Sequence, residues 1–130
     1  MRKRLIGLLL AAVLLSGCGG KYSVDYGETA LYSREEMESA VQVITETFFT
    51  WEGCRLYEVT FAGDTLCREE LEYCRELGDK AYDSCIVFRT RFRSPIRGGG
   101  AWNPNRVYDW SWHLAKENGG NWELLTWGAP

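Results

Sequence analysis

The feature that most constrains this 130-residue chain is a change in the period of its apolar residues. Met37, Ala40, Val41, Ile44, Phe48 and Trp51 recur three and four positions apart, with Glu35, Glu38, Gln42 and Glu46 between them. That spacing lines one face of a helix with apolar side chains and leaves the other polar. Ser33, three residues before Glu36, has the spacing of a capping box, and Gly53 supplies a stop. A helix is therefore expected from Arg34 to about Trp51. Beyond it the period drops to two: Tyr57, Val59 and Phe61 alternate with Glu58 and Thr60, the pattern of a half-buried strand.

The same alternation returns later. Ile86, Phe88, Thr90 and Phe92 are predicted to share one face of a strand over Cys85–Arg93, with Arg89, Arg91 and Arg93 on the other. Arg106–Lys116 places Tyr108, Trp110, Trp112 and Leu114 together. Gly119 and Gly120 mark a hairpin turn, and Trp122–Trp127 returns. Trp122 and Trp127, five apart, are expected on opposite faces. Thr65–Leu77 lacks a β-branched run and is followed by Gly78, which predicts a second short helix.

Six tryptophans, seven tyrosines and five phenylalanines exclude a disordered chain, and the length suits one core. The expected class is α+β: an N-terminal helix packed on a curved antiparallel sheet of about four strands, with the second short helix. This order of elements resembles the cystatin-like and nuclear-transport-factor-2-like α+β rolls, a likeness of architecture that implies no activity.

The N-terminus carries an address. Arg2, Lys3 and Arg4 precede an apolar run over Leu5–Leu15, too short at about 16 Å of helix for a hydrocarbon core of roughly 30 Å, but suited to a signal peptide. Leu15, Ser16, Gly17 and Cys18 resemble the bacterial lipobox. The resemblance implies cleavage after Gly17 and a diacylglyceryl thioether on Cys18, with palmitate-type chains holding the protein on the extracytoplasmic face of the cell membrane. Residues 1–17 are thus read as the signal peptide, 18–32 as a lipidated tether, and 33–130 as a single α+β domain. Removing Arg2, Lys3 and Arg4 from 15 basic residues leaves 12 against 18 acidic, a net of −6 that argues against nucleic acid as a partner. A monomer is expected, and its partner is an extracellular ligand or protein.

Phe92–Pro95, Gly98–Asn105 (GGGAWNPN) and Trp122–Gly128 (WELLTWG), together with the lipobox, resemble a group of small lipoproteins of Gram-positive gut bacteria. The likeness implies location and fold, and it assigns no reaction.

Four further cysteines, Cys54, Cys67, Cys74 and Cys85, are disulfide candidates in an exported protein. On one continuous helix Cys67 and Cys74 would be about 10.5 Å apart, beyond bridging reach. Cys54 with either of them, and Cys85 with the other, stay open. Their spacing fits neither a zinc knuckle nor a Cys-x-x-Cys redox pair, so no metal and no cofactor is expected. Asp109, Ser111 and His113 share a strand face, but Asp109 and His113 would be roughly 13 Å apart, too far for a triad. His113 is expected to be an exposed strand residue.

No coherent catalytic set emerges. The favoured reading is a non-catalytic binding domain whose site is the glycine loop: Trp102 and Tyr108 as an aromatic platform, with Asn103, Arg93 and Arg97 beside it. Gly98–Gly100 could also cradle an anion with backbone amides. The rival is a small enzyme with a pocket in the α+β roll, served by His113 and a buried acid.

Overall fold

The computed structural model describes the backbone of residues 15–17 and 20–130 and the side chains from Lys21 onward. Its strands are β1 (Leu15–Gly17), β2 (Gly20–Asp25), β3 (Arg55–Phe61), β4 (Ser84–Arg93), β5 (Val107–Lys116) and β6 (Glu123–Gly128). Its helices are α1 (Arg34–Phe48), α2 (Asp64–Glu69) and α3 (Leu71–Gly78). The strands lie in sequence order; β2 to β6 form the body of the sheet and the three-residue β1 adds to its edge. All neighbours run antiparallel except β2 and β3, which are parallel because α1 crosses over between them.

The α+β class stands, and the detail is richer than the sequence pattern. α1 begins where Ser33 and Glu36 close the capping box, and it buries Met37, Ala40, Val41, Ile44 and Phe48. It ends at Phe48, so Trp51 sits in the turn beyond. The expected second helix is two, broken at Glu70.

Residues 20–25 form an edge strand where a tether is expected, with Tyr22, Val24 and Tyr26 buried and Lys21, Ser23 and Asp25 exposed. In β3 a register shift between Leu56 and Glu58 moves the pattern by one: Leu56 rather than Tyr57 is buried with Val59 and Phe61.

The two faces of the sheet differ. Toward α1 it presents Ile86, Phe88, Thr90, Phe92, Trp112 and Leu114, all buried. A polar pair there is closed on itself, since Trp112 Nε1 donates to Thr90 Oγ1 at 2.8 Å. The opposite face is covered by α2 and α3 only over its Ser84–Val87 half, where Cys67, Cys74 and Cys85 are buried. Its other half carries Arg89, Arg91 and Arg93 toward solvent, as an antiparallel sheet allows.

Candidate functional site

The most distinctive constellation is a ledge of indoles at the Arg93–Val107 end of the sheet. Trp51 is its hub. Beyond the C-cap of α1 its N–H donates to Phe48 O at 2.9 Å, and its ring lies 5.4 Å from Trp102, 5.9 Å from Trp110 and 6.0 Å from Trp127. It stacks on the fully buried Trp112 at 5.3 Å with a 25° interplanar angle. Trp127 also stacks on Trp112, at 5.5 Å, and is 43% exposed. Trp127 and Trp122 both lie on the α1 side, against the expectation from their spacing, because the β5–β6 register slips between His113 and Leu114. Trp122 is buried, its indole N–H donating to Glu36 O.

Trp102 reaches this cluster from the β4–β5 loop. Gly98, Gly99 and Gly100 all adopt positive φ, and a Cβ on Gly98 would lie 2.9 Å from Pro104 N. The turn folds Trp102 back as a bridge with Gly99, onto Trp110 in a stacked arrangement at 6.2 Å. Its Nε1 is buried without a hydrogen-bond partner. Such an orphan donor carries a desolvation cost of about 1–3 kcal/mol unless something reaches it.

The loop therefore brings together three of the five expected site residues. Tyr108 stacks on Phe92 at 5.7 Å and accepts from Asn103 N–H at 2.9 Å, which ties Asn103 to the platform. Arg93 points to the other face, where it donates to the Tyr57 hydroxyl and to Asn105. Arg97 is exposed on the loop, apart from the indoles. The anion cradle is corrected: the amides of Gly98 and Gly99 already donate to Pro95 O and Trp102 O within the loop. Trp51 and Trp127 belong to the ledge although the pattern reads Trp51 only as helix core. Local spacing carries no signal for this, because Trp51 reaches the ledge only through the crossover of α1 between β2 and β3.

On the opposite face Glu58, Thr60, Arg89, Arg91 and Asp109 line a shallow groove of about 480 Å³. Arg91 and Asp109 pair through two contacts at 3.0 and 3.3 Å, each about half exposed, so the pair adds little to stability.

All four described cysteines are free. Cys54 is excluded as a partner of the others, since it lies at the start of β3 and Cys67 beyond its end, about 23 Å of strand away. Cys74 and Cys85 face each other with Sγ atoms 3.0 Å apart. The Cys85 thiol bonded to Cys74 lowers the pKa of Cys74, and the same contact together with burial raises that of Cys85. Burial pushes Cys67 up to about 11. None is an exposed nucleophile.

His113 is not the exposed residue expected. Its Nε2 lies 2.7 Å from Glu70 Oε1, its ring meets Tyr73 edge-on, and its Nδ1 is buried without a partner. It sits under α2 and α3, away from α1, and the space beneath α1 is filled by aromatic and aliphatic side chains. An acid–base pocket in the roll thus has no room where it is expected. No group of three or more metal-ligating side chains occurs among the described residues.

Cys18 and residues 1–14 of the signal segment lie outside the described residues. Among the described residues no helix is long and apolar enough to cross a membrane. No protein-family model, curated protein or solved structure matches the chain.

Proposed function

We propose that the chain is a lipid-anchored extracytoplasmic domain that binds a ligand or partner non-catalytically through the indole ledge. The observation that carries the binding role is the grouping of Trp51, Trp102, Trp110 and Trp127, with Trp127 43% exposed. Rigid aromatic faces suit the apolar faces of sugars or the side chains of peptides. The address rests on the basic–apolar–small pattern ending at Cys18, and two or more acyl chains suffice for stable attachment.

Titration of the acylated protein in detergent micelles with cell-wall glycan fragments and with peptides, followed by tryptophan emission, tests this reading. Saturable quenching is expected, at least tenfold weaker in Trp127→Ala. Binding of the same strength in Trp127→Ala and Trp102→Ala would remove the ledge as the site.

A further inference from the structure

The geometry points to a second membrane contact, beyond the anchor: the loop end of the sheet is a lipid-facing surface for anionic headgroups. The inference rests on the anchored reading and adds an orientation to it. Cys18 stands two residues before the first residue of β2, Gly20. Two residues reach at most about 7 Å. The parallel register Ser23 with Glu58 sets Gly20 level with Arg55, the first residue of β3. Arg55 is opposite Arg93, and Arg93 is opposite Val107. Acyl chains on Cys18 would therefore hold the Arg55–Arg93–Val107 end against the bilayer, with no slack to turn away.

That end has the chemistry of a headgroup-facing surface. Among the described residues it gathers Lys21, Arg55, Arg93, Arg97 and Arg106 against Glu52 and, in the last turn of α1, Glu46; all of these but Arg93 are exposed. The next acids, Glu58 and Asp109, lie further along the strands, where Asp109 holds Arg91. At its tip Ile96 is 81% exposed and Val107 46%. The far end carries the acids Asp79, Asp83, Glu117 and Glu123 against Lys80 and Lys116, each of which is held in an ion pair. Cations near an anionic leaflet attract its lipids within a Debye length, and one apolar side chain beyond them can enter the acyl boundary. A lipid chain combined with a basic patch is the two-signal arrangement that makes attachment durable.

The test uses the full chain recovered from bacterial membranes and placed in vesicles of phosphatidylcholine with 30% phosphatidylglycerol, or of phosphatidylcholine alone. A polarity-sensitive dye is attached to Ile96→Cys or, at the far end, to Glu117→Cys; the native described cysteines are buried and are left unlabelled under native conditions. In anionic vesicles the dye at 96 should be at least threefold less accessible to acrylamide than the dye at 117, and be quenched by nitroxide on lipid chains. Arg97→Glu with Arg106→Glu, or vesicles without phosphatidylglycerol, should halve that protection. The mass of the N-terminal peptide reports the acyl group separately. Acylated protein with positions 96 and 117 equally open overturns the docking surface and leaves the anchor intact. Protection at 96 on a chain whose Cys18 bears no lipid supports the surface and overturns the anchor.

Discussion

Glu36 shows how much one side chain does in this domain. Its carboxylate accepts from Ser33 N–H at 2.8 Å and from Lys116 Nζ at 2.8 Å, and its carbonyl accepts from Trp122, so it joins the start of α1 to β5 and the β6 turn. The Lys116 ammonium, then the Ser33 amide, hold its carboxyl below the usual value of 4.5. A lowered folded-state value means that the stabilisation is complete above about pH 4.5 and is lost as pH falls through the lowered value. Glu36→Ala should cost about 1 kcal/mol at pH 7 in urea unfolding, and the gap to wild type should narrow steadily as pH is taken below 4.5. The thiols make a second prediction. Cys74 and Cys85 have Sγ atoms 3.0 Å apart but are buried, so they should exchange with a small-molecule disulfide only when the domain transiently opens: their two thiols become one bond and the reagent leaves as two thiols. Oxidised glutathione should yield a Cys74–Cys85 cross-link in a peptide map, and none that includes Cys54.

At the scale of elements, β2 carries the clearest prediction. As a strand with Tyr22 and Val24 buried, it should retain amide protons; exchange at Val24 should be at least a hundredfold slower than in an unstructured segment, whereas a tether would exchange freely. Its alternation was legible in Tyr22, Val24 and Tyr26, but three alternations between glycines and a Gly-Glu turn are too few to separate a short edge strand from coil. Where the pattern was long it was readable: α1 with its capping box, β4 with its arginine face, and the β5–β6 turn all follow from spacing. Where one residue shifts the register, as at Tyr57 and between Leu124 and Thr126, a bulge moves side chains to the other face and local spacing misleads. The break at Glu70 is of another kind. It lets the 64–78 segment wrap the sheet so that both Cys67 and Cys74 are buried against β4, a tertiary demand absent from local spacing.

Across the whole molecule, the loop end of the sheet unites what the sequence scatters. The glycine loop, the arginines, the end of α1 with Trp51 and the residue two places after Cys18 all meet there because α1 returns the chain to begin β3 beside β2. Trp102, Asn103 and Tyr108 could be grouped from sequence because they follow one another around a loop. Trp51 could not, since its place in the ledge depends on that crossover. Cleavage after Gly17 would remove β1 and leave β2 as the sheet's edge, two residues from the anchor. The most direct measurement is the intact mass of the protein extracted from the membranes of a producing bacterium. A chain beginning at Cys18 and carrying a diacylglyceryl group on its sulfur is the predicted result; a chain that retains Met1–Gly17, with a free thiol at position 18 and recovered from the soluble fraction, would contradict the account.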